Sequence, residues 1–253
     1  MVKSRATSMR GIVVKRWSVL ALAAMACGAP NSDSKPSAAV GAAAGGSGGA
    51  AVESTTVQGA TQTTGVPRIL FLGTSLTAGL GLDPDSAYPA VIARLAAKEG
   101  TKIDVINAGL SGETSAGALR RADWLLKQRL DVVCIETGAN DGLRGVNPDS
   151  TAANIEALIA KARAAQPKAA IVLVQMEAPT NLGPEYQRKF HAVFPAVAKK
   201  AGVRLLPFLL DGVAGHPDLN QDDGIHPTAE GARRVAATVY RGLRPVVDSL
   251  RGR

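Results

Sequence analysis

Aromatic residues are scarce in this 253-residue chain, at 4% of the sequence, so its core must be built from Ala, Val, Leu and Ile. Cysteine is scarcer still, because only Cys27 and Cys134 are present. Cys134 lies inside the apolar run Val132–Ile135 and is expected to be a small buried hydrophobic residue. A structural disulfide is therefore not expected, and the fold must be stabilised by its core alone.

Long hydrophobic runs are also missing. No apolar run approaches the roughly 20 residues of a transmembrane helix, and residues 17–26 form only a short one. That short run follows a basic start and ends in Ala24-Met25-Ala26-Cys27, which is typical of a secretory signal. We therefore predict a signal peptide over residues 1–27 and an exported protein of the bacterial cell envelope, either periplasmic or membrane-anchored.

Cys27 lies where a bacterial lipoprotein carries its lipidated cysteine, and this segment resembles a lipobox. The resemblance implies a lipoprotein-type signal and a membrane tether through Cys27. The alternative is a signal that is cut off without lipidation, since Ala24 stands where Leu is usual and Ala-Met-Ala suits ordinary cleavage.

Most of the excess positive charge lies at the start of the chain. The formal net charge is +8, but five of the 29 basic residues precede position 27, and the rest of the chain carries 24 basic and 21 acidic residues. No dense basic cluster remains there, so no nucleic-acid partner is expected. Residues 28–65 are rich in Gly, Ala and Ser without apolar periodicity, which predicts a disordered linker ahead of a folded domain over residues 66–253.

From residue 68 onward, short apolar runs alternate with longer helical patterns. Strands are predicted at Arg68–Leu72, Ile103–Ala108, Asp131–Thr137, Ala170–Gln175 and Val203–Leu206, and helices at about Tyr88–Lys98, Ser115–Arg129, Ser150–Ala165, Tyr186–Ala201 and Thr228–Val247. Ser150 and Thr228 are candidate helix caps, and Gly100 and Gly202 are candidate helix ends. Continuous apolar strands joined by crossover helices predict a single three-layer α/β/α domain with a five-stranded parallel sheet.

Polar motifs follow several of the predicted strands, at the sheet edge where ligands bind in this class of fold. Ser75 follows the first strand at a sharp turn into a helix, and Gly112 lies in the loop after the second, where glycine can offer an unshielded N–H. Asn140 follows the third strand and can donate through its side-chain amide. Each motif alone also fits an ordinary turn or helix cap.

Asp223 and His226 follow the fifth predicted strand. A carboxylate three residues before an imidazole can bind its Nδ1 proton and fix the tautomer. Metal ligation is the competing interpretation, but no second His or Cys lies nearby at ligand spacing, so no metal is expected. His191 falls within a helical pattern and is interpreted as a surface or packing residue.

Taken together, these motifs resemble those of a known family. Gly73–Leu76, Ser111–Thr114, Gly138–Asp141 and Asp223–Pro227 resemble, in that order, the four blocks of the SGNH (GDSL-type) hydrolases. The closer resemblance is to the bacterial thioesterase I, lysophospholipase L1 and arylesterase group, and it covers about Arg68 to Val247. One position departs from the pattern, because Thr74 stands where the family usually has Asp.

The resemblance implies a flavodoxin-like fold, a catalytic triad of Ser75, Asp223 and His226, and an oxyanion hole formed by Ser75, Gly112 and Asn140. It also implies a serine hydrolase that needs no cofactor and cleaves carboxylic esters of small acyl or lipid substrates, including thioesters or lysophospholipids, through an acyl-enzyme on Ser75. Two alternatives stay open. One is a carbohydrate O-deacetylase of the same fold, although apolar residues near the site favour acyl chains. The other is a lipid- or glycan-binding module with weakened catalysis, to which Thr74 points.

Overall fold

The computed structural model describes residues 65–251, in which β-strands and α-helices alternate along the chain. The strands are β1 (Arg68–Gly73), β2 (Asp104–Gly109), β3 (Val132–Ile135), β4 (Ala170–Gln175) and β5 (Arg204–Phe208). The helices are α1 (Ser75–Ala78), α2 (Tyr88–Lys98), α3 (Ser115–Leu125), α4 (Ala139–Leu143), α5 (Pro148–Ala165), α6 (Gly183–Ala201) and α7 (Ala229–Arg251). Short 3₁₀ turns lie at Pro84–Ser86 and Thr180–Leu182.

The five strands form one parallel sheet in the order β2-β1-β3-β4-β5. β1 lies between β2 and β3, with Ile69 opposite Val105 on one side and Val132 on the other. The chain therefore leaves β1 in one direction and returns past it to β3, which opens a crevice at the carboxyl ends of these strands. The predicted five-stranded parallel sheet is confirmed.

Helices cover both faces of the sheet. α2 packs against α7, whereas α5 packs against both α3 and α6, so the helices form two layers on opposite faces. Between the layers, β1 and β3 are almost entirely buried apolar runs, as expected for central parallel strands. Cys134 is a buried free cysteine in β3, which confirms its predicted role as a small core residue.

Helix ends agree with most of the predicted caps. The side chain of Thr228 accepts a hydrogen bond from the N–H of Gly231 at the start of α7, and Gly100 and Gly202 follow helix ends in the left-handed conformation. The prediction for Ser150 is wrong. Asn147 caps α5 through its side-chain oxygen, because Pro148 already occupies the first helical position and the helix begins earlier than predicted.

Three sequence predictions lie outside the described residues. These are the signal peptide over residues 1–27, the lipidation of Cys27, and almost all of the linker over residues 28–65. Among the helices of residues 65–251, none is both long enough and apolar enough to cross a membrane.

Candidate active site

A tight turn between β1 and α1 carries Ser75. Thr74 caps α1 by accepting a hydrogen bond from the N–H of Leu76, and Ser75 is the first residue of the helix. A Cβ at Gly73 would lie 2.0 Å from Oγ1 of Thr77, and a Cβ at Gly109 would lie 2.1 Å from the backbone nitrogen of Ala78. Both positions therefore require glycine for the turn to pack this closely.

Ser75, His226 and Asp223 form one hydrogen-bonded chain. The Oγ atom of Ser75 lies 2.8 Å from Nε2 of His226, and Nδ1 of His226 lies 2.5 Å from Oδ2 of Asp223. An ionised carboxylate can only accept, so Nδ1 carries the imidazole proton and the lone pair on Nε2 faces the Ser75 hydroxyl. This arrangement can remove the hydroxyl proton and make Ser75 a nucleophile.

The loop around Asp223 favours the ionised form of its carboxylate. Partial burial opposes ionisation, but the imidazole of His226 and the backbone N–H groups of His226 and Ile225 donate to this carboxylate. These hydrogen bonds outweigh the burial and lower the pKa of Asp223 to about 2. At neutral pH, a negative charge is therefore held beside the imidazole, where it can stabilise an imidazolium.

A second carboxylate supports the nucleophile turn from the sheet side. Glu136 is fully buried at the end of β3 and accepts hydrogen bonds from the backbone N–H of Thr74 at 2.8 Å, the Thr74 hydroxyl at 3.0 Å and the Thr77 hydroxyl at 2.8 Å. The Thr77 hydroxyl in turn pairs with the Tyr88 hydroxyl at 2.8 Å. Burial raises the pKa of Glu136 to about 7, although the hydrogen bonds from Thr74 and Thr77 oppose this rise.

The two other predicted oxyanion residues lie on loops that flank the Ser75 turn. Gly112 follows β2 with a φ of 77°, and Asn140 lies at the start of α4 after β3. The side-chain amide of Asn140 donates to the carbonyl of Glu113 at 2.9 Å, which leaves its second N–H for another acceptor. The backbone N–H of Ser75, as the first of its helix, has no acceptor within that helix.

Arg121 anchors the Gly112 loop to the sheet. Its guanidinium binds the Glu113 carboxylate through two hydrogen bonds of 2.6 Å and also donates to the carbonyls of Gly73 and Ala108. The ends of β1 and β2 and the loop after β2 are therefore held by one side chain.

Gln221 anchors the loop that carries the Asp–His pair. Its side-chain amide donates to the carbonyl of Leu80 at 2.7 Å, just after α1, and to the carbonyl of Pro227 at 2.9 Å. His226 is thereby held close to the helix that begins with Ser75.

An apolar cavity of about 280 Å³ opens beside this site. Its wall includes Leu76 next to the nucleophile, Ile225 next to the imidazole, and Leu143, Met176 and Phe208 from the loops and the sheet. A chain of methylene groups can fill such a cavity and be removed from water.

Comparison with known proteins identifies the family. Residues 71–234 match the GDSL-like Lipase/Acylhydrolase family. The chain belongs to this family. It is 39% identical over 188 residues to Esterase TesA of Pseudomonas aeruginosa, which covers 74% of this chain and 92% of that protein. It is 38% identical over 181 residues to Thioesterase 1/protease 1/lysophospholipase L1 of Escherichia coli K12, which covers 71% of this chain and 85% of that protein.

Solved structures of similar proteins agree with the fold. The psychrotrophic esterase EstA of Pseudoalteromonas superposes with a TM-score of 0.68 at 35% identity, covering 72% of this chain and 98% of the other. The resemblance to the SGNH (GDSL-type) hydrolases and to the thioesterase, lysophospholipase and arylesterase group is confirmed. The roles assigned to individual residues stay predictions, although the structure brings Ser75, His226 and Asp223 into contact.

Three residues that support this GDSL-type site were missed from the sequence: Glu136, Arg121 and Gln221. A charged residue after the apolar run of β3 was the available signal for Glu136, since a buried carboxylate needs several donors. Arg121 and Gln221 carry no local signal, because their backbone partners lie on other elements. His191, predicted to be a surface or packing residue, is exposed, and its Nδ1 lies 2.7 Å from the carboxylate of Glu177.

Proposed function

We propose that this chain hydrolyses carboxylic esters through an acyl-enzyme formed on Ser75, with Asp223 and His226 as the other members of the triad. The observation that carries this proposal is the continuous hydrogen-bonded chain from the Ser75 hydroxyl through His226 to the Asp223 carboxylate. Membership of the GDSL-like lipase/acylhydrolase family supports it. The relatives are named esterases and thioesterases, so the carbohydrate deacetylase is not favoured.

In the proposed mechanism, each of these groups has its own step. Nε2 of His226 takes the hydroxyl proton while Oγ of Ser75 attacks the substrate carbonyl carbon. The N–H groups of Ser75 and Gly112 and the side-chain amide of Asn140 hold the negative oxygen that forms. His226 then returns the proton to the departing alcohol or thiol. Water attacks the acyl-enzyme in the same way and releases the acid.

The substrates we propose are small acyl esters, thioesters or lysophospholipids. The apolar cavity beside the Ser75 turn supports an acyl chain as the recognised part of the substrate, because its wall is mostly aliphatic with Met176 and Phe208, and Glu177 is the charged residue in it. The relative from Escherichia coli is named both a thioesterase and a lysophospholipase, and the relative from Vibrio mimicus is named an arylesterase.

Hydrolysis of p-nitrophenyl esters from acetate to palmitate tests the activity. The Ser75→Ala variant is expected to lose nearly all turnover, because its nucleophile is gone. Ser111→Ala, which removes an exposed hydroxyl from the neighbouring loop, serves as the matched control and should keep its activity. A folded wild-type protein that cleaves none of these esters, or a Ser75→Ala variant that still cleaves them, would refute the proposal.

We also propose that the protein is exported and tethered to a membrane through a lipid on Cys27. The basic start, the short apolar run and Cys27 at the predicted cleavage point support this. Mass spectrometry of the envelope fraction should find a lipid-modified N-terminal cysteine, and Cys27→Ala should release the protein from that fraction. Retention of the Cys27→Ala protein in the membrane would contradict the tether.

A further inference from the structure

The exposed apolar side chains are unevenly distributed over the described part of the chain. Among residues 65–251, six large hydrophobic side chains are exposed, and five of them follow five different strands of the sheet. These five, here called the apolar rim, are Leu80 after β1, Leu110 after β2, Leu143 after β3, Leu182 after β4 and Ile225 after β5. These five lie in the segments that follow the strands at the carboxyl edge of the sheet, and the same edge carries Ser75.

Hydrogen-bond and packing contacts connect the part of the rim that follows β2 to the part that follows β4. Arg144 donates to the carbonyl of Gly112 at 3.0 Å, which joins the loop that contains Leu110 to the end of α4. The next residue in the chain, Gly145, lies beside Leu182. A Cβ added at Gly145 would be 3.6 Å from the Leu182 side chain.

The remaining rim residues join the same band through the His226 loop. Leu143 and Ile225 line one cavity, and Gln221 from the Ile225 loop donates to the carbonyl of Leu80. The rim is thus a chain of neighbouring loops around the nucleophile turn.

The apolar rim extends beyond the cavity that one acyl chain would fill. Leu143 and Ile225 line the acyl cavity, but Leu110 and Leu182 line two different cavities outside it. Single exposed leucines are ordinary on protein surfaces, whereas apolar side chains gathered around one site mark a surface that meets an apolar phase. Arg120 and Arg144 line the same cavity as Leu110. The Glu113 carboxylate in that cavity is already paired with Arg121, so the cationic groups beside Leu110 are in excess.

We infer that the apolar rim docks onto the surface of a phospholipid aggregate, so that ester substrate enters the site from the lipid phase. The inference rests on the proposed ester hydrolysis. A lipid surface offers acyl chains to all five rim residues at once and anionic head groups to the two arginines. One dissolved ester molecule in the acyl cavity leaves Leu110 and Leu182 in water.

The test compares one acyl ester in a membrane with another in solution. The full chain carries Cys27→Ser, so that no attached lipid contributes to binding. The membrane substrate is p-nitrophenyl laurate in vesicles of diether phosphatidylcholine and diether phosphatidylglycerol, which contain no cleavable ester of their own. The soluble substrate is p-nitrophenyl butyrate. The rim variant is Leu110→Ser combined with Leu182→Ser, and both positions are outside the acyl cavity and the catalytic chain.

Trp124→Ser is the matched control, because Trp124 is 72% exposed but lies outside the rim, near the end of α3, whereas the rim residues are 36% to 49% exposed. We expect the rim variant to cleave the vesicle substrate about tenfold more slowly while the butyrate rate changes by less than about twofold. The control should match the parent on both substrates.

Equal loss in the rim variant and in Trp124→Ser would overturn the inference, as would unchanged rates on vesicles. A parent protein that is dimeric by light scattering, and that becomes monomeric in the rim variant, would assign the rim to a second copy of the chain instead. A folded parent protein that cleaves none of the p-nitrophenyl esters from acetate to palmitate would refute the proposed function, which is a different outcome.

Discussion

Asp223 contacts His226, and Glu136 contacts the turn that carries Ser75. These two carboxylates differ in burial and in pKa. Asp223 lies on a surface loop with 45% of its side chain exposed, and its pKa is lowered to about 2. Glu136 is fully buried beneath the turn, and its pKa is raised to about 7. Both accept several hydrogen bonds, so the number of donors does not explain the difference.

The degree of burial decides whether desolvation or hydrogen bonding dominates the pKa of each carboxylate. Partial burial is the largest single effect on Asp223 and raises its pKa, but three N–H donors and the nearby imidazole together outweigh it and lower the pKa. Glu136 is fully buried, and the cost of burying its charge outweighs the hydrogen bonds donated by Thr74 and Thr77. The comparison fits two different roles: in the proposed reaction Asp223 acts on the imidazole, whereas Glu136 holds the turn in the folded state.

The largest expected effect is a loss of activity when the exposed carboxylate is changed. Asp223→Asn should lower kcat by about 10³- to 10⁴-fold, because the amide no longer holds the imidazole in the required tautomer or stabilises its charged form. Steady-state hydrolysis of p-nitrophenyl butyrate measures this. Asp222→Asn, which changes the adjacent exposed acid, is the control and should retain activity. Equal losses of kcat in Asp223→Asn and Asp222→Asn would contradict a specific role for Asp223.

The next effect is on stability and concerns the buried carboxylate. Glu136→Ala should lower the free energy of unfolding by about 3–5 kcal/mol, because it leaves the donors of Thr74 and Thr77 unpaired and opens a cavity. Glu136→Gln keeps the shape and one acceptor and should cost much less. Urea unfolding followed by circular dichroism gives both values. The same measurement on Asp223→Ala should show a change below about 1 kcal/mol, as for other exposed positions.

The third prediction uses pH to distinguish the two carboxylates. In the folded protein, the raised pKa means that Glu136 binds more protons than in the unfolded chain between pH 4.5 and about 7. The free energy of unfolding should therefore fall as pH rises through this range, by at most about 3 kcal/mol relative to Glu136→Gln. Asp223, whose pKa is lowered from 3.8, stabilises the fold above that pH, and this contribution is lost as pH falls toward 2.

Urea titrations at a series of pH values, on the wild type beside Glu136→Gln and Asp223→Asn, measure these two opposite dependences. A wild type that tracks Glu136→Gln between pH 4.5 and 7 would mean that the pKa of Glu136 is not raised.

The smallest expected effect comes from Thr74. Thr74→Val removes the hydroxyl that donates to Glu136 and caps α1, at a cost of about 1–2 kcal/mol. The backbone N–H of residue 74 still donates to Glu136, so the turn should remain and kcat should fall by less than about tenfold. Unfolding and ester hydrolysis on the same preparation check both values. A loss as large as that of Glu136→Ala would show that the Thr74 hydroxyl is the main support.

Much of the fold followed from local patterns in the sequence. Continuous apolar runs predicted all five strands, and α2 has the predicted bounds, because a buried parallel sheet and an amphipathic helix each leave a periodic signal. Helix ends were less predictable. α3 ends at Leu125 rather than at Arg129, and α5 begins at Pro148, ahead of the predicted cap at Ser150.

The site was predictable where it depends on neighbours in sequence. Asp223 and His226 are three residues apart, and Ser75, Gly112 and Asn140 each lie within a few residues of the end of a strand. The supporting contacts were not predictable, because they join residues that are far apart in the chain: 62 positions separate the Thr74–Glu136 pair. Such pairs are brought together only by the strand order of the sheet, which leaves no mark in a local pattern.

The crowding at Gly73 has a consequence for anyone who wishes to make this enzyme more heat-resistant. Exchanging glycine for alanine is a common means of stabilisation, worth about 0.4–1 kcal/mol, because it restricts the unfolded chain. Gly73 and Gly109 do not tolerate this exchange. The added methyl group would collide with the Thr77 side chain at position 73 and with the backbone of Ala78 at position 109. The turn that presents Ser75 therefore does not accept this exchange, and stabilising substitutions are better placed on the outer helices.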